Sequence, residues 1–342
     1  MQTQILNCQE SSLAQAAQVI RAGGLVAFPT ETVYGLGADG MNPEAILSIF
    51  AAKQRPADNP LIYHIHSLSQ WEGLVTDIPD EAAALAEAFW PGPLTIILPA
   101  RDCVPMEGRA GLATVGVRMP DHEAARAFLC ACGVPVAAPS ANRSGRPSPT
   151  RAQDVYEDMQ GRIPLILDGG SCRVGLESTV VSVSDGEVRV LRPGGVTEEM
   201  LASVVPRVVV HAAALAPVPE GTKAPSPGML HRHYAPRAKV LLAKGDPGTQ
   251  AEQICRAYDK GAQSTCILAT QENLPLYGDR SVILWGKRSD PGTLAEKLFA
   301  LLREADARGF DQVLAETVEP RGLGLAVMNR LLRAAEFTYL AD

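Results

Sequence analysis

The chain has 342 residues, of which 46% are hydrophobic and 20% are charged, and its formal net charge is −7. This length predicts about two domains with a substantial core, and the acidic balance argues against a protein that coats polyanions. The sequence lacks an apolar run of roughly 18 residues, the length of a transmembrane helix, and it lacks a signal-peptide pattern at the N-terminus. Its seven scattered cysteines fit reduced thiols. We therefore expect a cytoplasmic protein without membrane contact.

The first predicted elements surround a stretch that is rich in polar loop residues. A helix at 11–22 ends at a Gly-Gly pair, and the apolar runs 25–28 and 61–65 predict buried strands on either side of a helix at 44–52. The segments PTET and KQRPADNP place hydroxyl, cationic and amide groups in loops next to these strands. Ligand sites in α/β sheets form at strand ends. We therefore expect Leu25 to His66 to form the floor of an active site.

The chain continues as an α/β alternation up to about residue 205. The predicted elements are helices at 80–89 and 121–131, strands at 94–98, 114–119, 134–138 and 165–167, and a hairpin of strands 179–183 and 187–191. The loop 139–151, PSANRSGRPSPTR, carries three arginines and no acidic residue. Because Ser-Ala-Asn follows a strand, this loop resembles an anion cradle of backbone and hydroxyl groups.

The composition changes in the last third of the chain. Residues 211–228 are rich in Ala, Pro and Gly and predict an irregular linker, which the motif SPGMLHRHYAPR follows. From Lys239 onward strands and helices alternate again, which predicts a second α/β unit of roughly 100 residues with a Rossmann-like rhythm. The predicted parts are a catalytic domain at 1–205, a linker or lid at 206–238 and a C-terminal domain at 239–342.

Two short motifs are weak evidence for a cofactor. Gly35, Gly37 and Gly40 match the G-x-G-x-x-G dinucleotide fingerprint, but PTETVY separates them from their strand and the next helix begins too late. We interpret them as a Gly-rich turn under a ligand pocket. His231 and His233 form an H-x-H pair without the other ligands of a zinc site. The sequence therefore predicts no protein-bound metal.

The polar residues of the loops and strands suit phosphate and a small polar acid. Lys53 and Arg55 in a rigid loop with Asn59 suit phosphate oxygens, although surface charges after a helix are the alternative. Thr114 and Arg118 share the face of their strand opposite an apolar stripe, which fits an anion or a solvated face. Little points to a covalent nucleophile, so the pattern favours catalysis by positioning and electrostatic stabilisation.

Taken together, the motifs resemble those of the YrdC-like family in its two-domain form. The resemblance covers about residues 10–238, through PTETVYGLG, KQRP, NPL…H, WPGPLT, VGVRMPDH, APSANRSG, SPT, ESTVV, LRPG and SPGMLHRHYAP. It implies an α/β fold with an N-terminal YrdC-like twisted open sheet flanked by helices and a smaller C-terminal Rossmann-like domain. The C-terminal 100 residues match only by position and rhythm.

The resemblance implies an activity and a set of site residues. The activity is L-threonylcarbamoyladenylate synthesis: L-threonine, bicarbonate and ATP, with Mg²⁺, give threonylcarbamoyl-AMP and pyrophosphate. The product would pass to the machinery that threonylcarbamoylates adenosine 37 of tRNA, and a weak direct tRNA contact stays open. The implied threonine-binding residues are Thr32, His64, Arg118, Ala138 and Ser178. The implied ATP-binding residues are Arg55, Asn59, Thr114, Ser140, Ser148, Arg192 and Tyr234. The implied catalytic residues near the phosphates are Lys53, Arg55 and Asn142.

Two other functions are weighed against this one. Arg143, Arg146 and Arg151 favour an RNA-binding module without catalysis, but the acidic total and the lack of an aromatic-basic stripe count against it. A hydrogenase-maturation carbamoyltransferase embeds a similar domain but carries zinc-finger C-x-x-C pairs, which this sequence does not contain.

The length and Pro/Gly content of the linker suit a lid that folds over ATP.

Overall fold

The computed structural model describes residues 1–214, 216, 234–261 and 264–341. The chain divides into two compact units. Unit 1 comprises Met1–Ser144 and Ser148–Leu230, and unit 2 comprises Gly145–Pro147 and His231–Asp342. Most of the motif SPGMLHRHYAPR, including His231 and His233, lies outside the described residues.

Unit 1 is built on one mixed sheet of eleven strands, in the order β1-β8-β2-β3-β7-β4-β6-β5-β9-β10-β11. Its strands are β1 Gln4–Asn7, β2 Val26–Phe28, β3 Gly35–Asp39, β4 Ile62–His64, β5 Leu94–Pro99, β6 Thr114–Arg118, β7 Val136–Ala138, β8 Leu165–Asp168, β9 Thr179–Ser184, β10 Glu187–Arg192 and β11 Val208–Val210. Its helices are α1 Glu10–Arg21, α2 Pro43–Lys53, α3 Leu68–Leu74, α4 Asp80–Phe89, α5 Met106–Arg109, α6 Glu123–Cys132, α7 Ala152–Met159 and α8 Glu198–Ala202, with a 3₁₀ turn at Ala212–Ala214.

Helix α2 has a side-chain cap at its N-terminus and a left-handed residue at its C-terminus. The side chain of Asn42 accepts hydrogen bonds from the backbone N–H groups of Glu44 and Ala45, and Pro43 occupies the first turn. The helix ends at Gln54, whose φ of 54° is left-handed. This ending turns the chain so that Lys53 lies inside the protein while the following loop leaves the helix.

The two faces of the sheet are covered differently. On one face, side chains of β3, β4, β5 and β6 form a large apolar core with α2, α3 and α4. On the other face, α1 and α6 pack on Val26, Phe28, Val136 and Leu165. This second cluster draws its strand residues from β2, β7 and β8, so it covers one end of that face.

The structure corrects the interpretation of the glycine motif. Gly35 and Gly37 lie within strand β3, which pairs antiparallel with β2, instead of in a turn. A Cβ on Gly37 would lie 2.7 Å from Val136 Cγ1 and 3.0 Å from Phe28 Cε1. The glycines therefore make room for large neighbours, which is a different reason for glycine than turn formation.

Several short elements were missing from the sequence-based prediction. Strand β1 pairs in parallel with β8 at the sheet edge, and β11 pairs in parallel with β10. Strand β11 extends the first sheet beyond residue 205, where the sequence predicts the linker to begin. Both strands are only three or four residues long.

Unit 2 contains a parallel sheet of four strands in the order β12-β15-β13-β14. The strands are β12 Lys239–Leu242, β13 Thr265–Thr270, β14 Val282–Gly286 and β15 Gln312–Ala315, and the helices are α9 Pro247–Lys260, α10 Pro291–Ala307 and α11 Leu323–Ala334, with a 3₁₀ turn at Leu274–Tyr277. Asp246 and Asp290 cap α9 and α10 through their side chains. The predicted α/β fold with a smaller Rossmann-like domain is thus confirmed.

The helices of the described residues have no apolar stretch long enough to cross a membrane. The seven cysteines are free thiols.

Candidate active site

Three residues predicted to hold the amino acid lie on one face of the unit 1 sheet. His64 on β4 pairs directly with Arg118 on β6, and Ala138 on β7 pairs with Ile62, two residues before His64. Paired residues on neighbouring strands point to the same side of a sheet, as do residues i and i+2 of one strand. The strand register therefore brings His64, Arg118 and Ala138 onto the face that α1 and α6 cover at one end.

The PTET segment places Thr32 against Arg118. The Thr30 hydroxyl accepts from the backbone N–H of Thr32 at 3.1 Å and lies 2.8 Å from the Thr32 hydroxyl. Arg118 donates from Nη1 to Thr32 Oγ1 at 2.9 Å and from Nε to the Gly92 carbonyl at 3.2 Å. Its buried Nη2 lies 2.6 Å from the Glu31 carboxylate, yet it has no aligned hydrogen-bond partner among the described residues. This N–H is therefore a donor that suits a ligand carboxylate.

His64 is an uncharged side chain on the same face of the sheet. Burial, and then the nearby Arg118 guanidinium, lower the pKa of His64 to about 3. Its Nδ1 lies 3.2 Å from the Ile62 carbonyl, and its ring packs edge-on against Phe28 at 5.5 Å between centroids. The imidazole is thus uncharged at neutral pH and contributes shape and hydrogen bonding instead of charge.

Ser178 and Arg192, which were predicted for different substrates, are in direct contact. Arg192 donates from Nε to the Ser178 carbonyl at 3.1 Å and from Nη2 to the Ser178 hydroxyl at 3.2 Å. The same hydroxyl lies 2.8 Å from that of Thr95 on β5. A Cβ on Gly194 would lie 2.5 Å from the carbonyl carbon of Ser178. The LRPG turn therefore packs directly on the Ser178 backbone.

The K-x-R and S-x-N motifs meet at Lys53. The Lys53 ammonium donates to the carbonyl oxygen of Ser140 and, at 2.6 Å, to that of Asn142. The Ser140 hydroxyl in turn donates to Asn142 Oδ1 at 2.5 Å. The side chain of Lys53 is buried, so it tethers the loop after β7 to the end of α2.

Further contacts fix the loop 139–151 beside the PTET segment. The backbone N–H of Tyr34 donates to Pro149, and that of Ala141 donates to Tyr34. Within this loop, the Ser148 hydroxyl donates to Glu177 Oε1 at 2.5 Å. The Ser140 and Ser148 hydroxyls predicted for ATP thus lie next to loop positions that are held by hydrogen bonds at Ala141, Ser148 and Pro149.

Three other predicted ATP residues lie near the start of β6 and after α2. Arg55 Nη2 lies 3.5 Å from the Asn59 carbonyl. The side-chain amide of Asn59 is fully buried, and neither its nitrogen nor its oxygen has a hydrogen-bond partner among the described residues. Thr114 lines a small pocket together with Thr95, Gly116 and neighbouring apolar residues. The Asn59 amide is thus available to hydrogen-bond a polar ligand or a bound water.

Tyr234 belongs to unit 2 and has a left-handed backbone, with φ of 63°. Its ring centroid lies 5.1 Å from that of Phe299 and 5.7 Å from the Arg330 guanidinium carbon. Its ATP-binding role stays a prediction from the sequence.

Three buried side chains of this site are not among the residues predicted from the sequence. Glu31 and Glu177 were quoted only within motifs, and Thr95 was counted as part of an apolar strand. All three are less than a tenth exposed and contact residues that were predicted to bind substrates. The presence of a polar residue within the apolar run LTIIL was the available signal for Thr95.

The Ser140 hydroxyl and the side-chain oxygen of Asn142 would suit a magnesium ion that arrives with a nucleotide. The described residues contain no group of three or more His, Cys, Asp or Glu side chains that could hold a metal. Mg²⁺ in nucleotide sites keeps several waters and phosphate oxygens and takes few protein ligands. The neutral oxygens of Ser140 and Asn142 suit that mode.

Two family models match the chain. The first, described as telomere recombination and comprising Sua5, YciO and YrdC proteins, matches residues 18–194, which is more than half of the chain. The second, described as the C-terminal domain of threonylcarbamoyl-AMP synthase, matches residues 196–336.

Similar proteins extend over almost the whole chain. It is 43% identical to threonylcarbamoyl-AMP synthase of Bacillus subtilis, over 97% of this chain and 95% of that protein. It is 44% identical to that of Pyrococcus abyssi, over 96% and 95%. A solved structure of P. abyssi Sua5 in complex with L-threonine has a TM-score of 0.92 at 42% identity and covers 99% of both chains. The chain therefore belongs to the Sua5/YciO/YrdC family, in the two-domain form that carries the Sua5 C-terminal domain.

Proposed function

We propose that this chain is a nucleotidyltransferase that condenses L-threonine, bicarbonate and ATP into L-threonylcarbamoyl-AMP and pyrophosphate. The relatives that match its full length carry the name of this activity. The observation that supports it most directly is the buried Arg118 Nη2, an N–H without an aligned hydrogen-bond partner among the described residues. Such a donor suits the carboxylate of an amino acid.

The amino acid would occupy the sheet face around Arg118. In this proposal Arg118 binds the α-carboxylate, and Thr32, His64, Ala138 and Ser178 surround the rest of the molecule. The neutral His64 ring can bond a hydroxyl or an amine without adding a charge. One of the solved relatives holds L-threonine, which agrees with this substrate.

The nucleotide would occupy the cationic side of the site. Lys53, Arg55 and Arg192 would face the phosphates, and the amide of Asn59 would receive the hydrogen bonds that it lacks within the described residues. The further ATP residues of the proposal are Thr114, Ser140, Asn142 and Ser148. Mg²⁺ bound with the phosphates would neutralise charge as pyrophosphate leaves.

The chemistry needs two bond-forming steps. The threonine ammonium first loses a proton to solvent; the free amine then adds to the carbon of bicarbonate, and loss of water leaves a carbamate. A carbamate oxygen then attacks the α-phosphorus, and the bond from this phosphorus to the bridging oxygen of pyrophosphate breaks. Residues of this chain would orient the two reactants, and burial of Thr32, His64 and Arg118 would limit water near the unstable carbamate.

The product suits transfer to tRNA by a separate machinery, and we propose a cytoplasmic location because tRNA is modified there.

The linker as a lid also remains a proposal, because residues 217–233 lie outside the described part of the chain. Deletion of residues 226–342 should strongly reduce ATP turnover if the lid contributes.

The decisive experiment measures pyrophosphate release by the purified full chain with ATP and Mg²⁺. Release should require both L-threonine and bicarbonate, and mass spectrometry should detect threonylcarbamoyl-AMP. Arg118→Ala should abolish threonine-dependent release, whereas the exposed Arg308→Ala should not. Release that persists without threonine or without bicarbonate would contradict the proposed reaction.

A further inference from the structure

Glu31 is a buried carboxylate inside the amino-acid half of the site. It is 2% exposed, and its backbone carbonyl accepts a hydrogen bond from the Val174 N–H at 2.7 Å. Its Oε2 lies 2.6 Å from Arg118 Nη2. Among the described residues, neither carboxylate oxygen has an aligned hydrogen-bond partner. A carboxylate is an unexpected component of a pocket that is proposed to bind another carboxylate.

The position of Glu31 explains how Arg118 is held. The guanidinium is fixed on two sides by its bonds to Gly92 and Thr32, and Glu31 faces its third side. A buried cation without a counter-charge is strongly unfavourable, so Glu31 makes a buried Arg118 tolerable. Because the close contact is not aligned as a hydrogen bond, Nη2 keeps an N–H for a ligand.

The local charges also set which ligand the pocket accepts. At the Arg118 end of the pocket the charges of Arg118 and Glu31 cancel each other, and burial keeps the His64 ring neutral, whereas the Arg192 guanidinium contacts Ser178. A zwitterionic amino acid adds no net charge to this buried region. A monoanionic acid of the same shape would add one uncompensated negative charge, which is costly away from water.

We propose that Glu31 is a positioning and specificity-determining residue: it orients Arg118 toward the α-carboxylate and makes the pocket prefer a zwitterionic amino acid to an anionic hydroxy acid. This inference rests on the proposed function for the identity of the substrate. It assigns to the PTET segment a role in charge selection in addition to the Thr32 hydroxyl.

The test compares the binding of two ligands to three proteins. L-Threonine and its 2-hydroxy analogue, 2,3-dihydroxybutanoate, are titrated calorimetrically into wild type, Glu31→Gln and Glu44→Gln. Glu44 lies exposed in the first turn of α2 and is the matched control. Glu31→Gln should weaken threonine binding about tenfold or more and should shift the ratio of the two Kd values toward the hydroxy acid. Glu44→Gln should change neither.

A second variant separates orientation from charge. Glu31→Asp keeps the negative charge but withdraws it from Nη2, so it should weaken threonine binding and leave the ratio of the two Kd values as in wild type. If Glu31→Gln does not fold, as circular dichroism would reveal, the threonine Kd of Glu31→Asp decides, and an unchanged value overturns the inference. An equal loss for both ligands in Glu31→Gln would also overturn it, because a merely structural ion pair predicts that result.

The measurements distinguish failure of the proposed function from failure of the proposed role of Glu31. If wild type releases no pyrophosphate in a threonine-dependent manner, the proposed function is wrong. If wild type does so and Glu31→Gln binds both ligands like wild type, only the role of Glu31 is wrong. The Kd for ATP should stay unchanged in all variants, which reports on the integrity of the nucleotide half.

Discussion

Lys53 offers the sharpest test of how the site is assembled. It is the last residue of α2 and is only 2% exposed. Its ammonium donates to the carbonyl oxygens of Ser140 and Asn142, and its own carbonyl accepts from the Ser144 N–H at 3.2 Å. The substitution Lys53→Met keeps much of the side-chain length but removes every donor.

The expected cost follows from these contacts. Each buried carbonyl that loses its donor costs about 1–3 kcal/mol, and the removed desolvation cost of the ammonium offsets part of the sum. We therefore expect a loss of about 2–4 kcal/mol in the free energy of unfolding. The freed loop also misplaces Ser140 and Asn142, so turnover should fall about 100-fold or more, which corresponds to at least ~2.7 kcal/mol in the barrier.

The assay combines chemical denaturation with pyrophosphate release. Lys297→Met, at an exposed position of α10, is the control for the loss of one lysine charge. If Lys53→Met is as stable and as active as this control, the tether has no energetic weight and the argument is refuted. A variant that is stable but inactive would assign Lys53 a role in the chemistry alone.

Three further changes test other parts of the site. Burial and Arg118 lower the pKa of His64 from 6.5 to about 3, so below pH 6.5 the unfolded chain binds a proton that the folded chain excludes. As the pH falls below 6.5, His64 should therefore lower the free energy of unfolding by about 1.4 kcal/mol per pH unit. Between pH 7 and pH 5 the His64→Gln variant should lose about 2 kcal/mol less stability than wild type; equal losses in the two proteins would contradict this. Thr95→Val removes one of the two partners of the Ser178 hydroxyl, the other being Arg192. It should cost about 1 kcal/mol and raise the KM for threonine; unchanged kinetics would exclude a role for this contact. Gly194→Ala would place a Cβ 2.5 Å from the Ser178 carbonyl carbon and should lower both activity and the melting temperature, whereas Gly73→Ala, with open space around its Cβ, should have little effect on either.

The alternation of strands and helices could be predicted from the sequence because each buried strand is a short apolar run. Strand β3 could not, since Gly35 and Gly37 carry no side chain to show a pattern. The segment is a strand because it pairs with β2 and β7, and it needs glycine because Phe28 and Val136 fill the space beside it. Glycine read alone predicts a turn, so the tertiary packing decided this element.

The candidate site residues could be proposed from the motifs, but their environments could not. Arg118 was equally consistent with a solvated strand face, and its burial depends on Glu31, which lies 87 positions away in the sequence. Lys53 was compatible with a surface cation until the carbonyls of Ser140 and Asn142 were found within reach. Burial of a charge is a property of its partners, and these partners come from other strands and loops.

Two buried carboxylates, Glu31 and Glu177, lie among residues that are proposed to bind anionic groups of the substrates. Glu31 faces Arg118, and Glu177 accepts a hydrogen bond from Ser148. Each fixes a side chain that is proposed to contact a substrate, so the binding groups are oriented before the substrate arrives and little reorganisation is needed. Because Glu31 also cancels the charge of Arg118, the region proposed for the amino acid stays close to neutral around Arg118, while Lys53 lies in the region proposed for the nucleotide. A zwitterionic amino acid would then bind beside the neutral Arg118–Glu31 pair, and the polyanionic nucleotide would bind near the positive charge of Lys53.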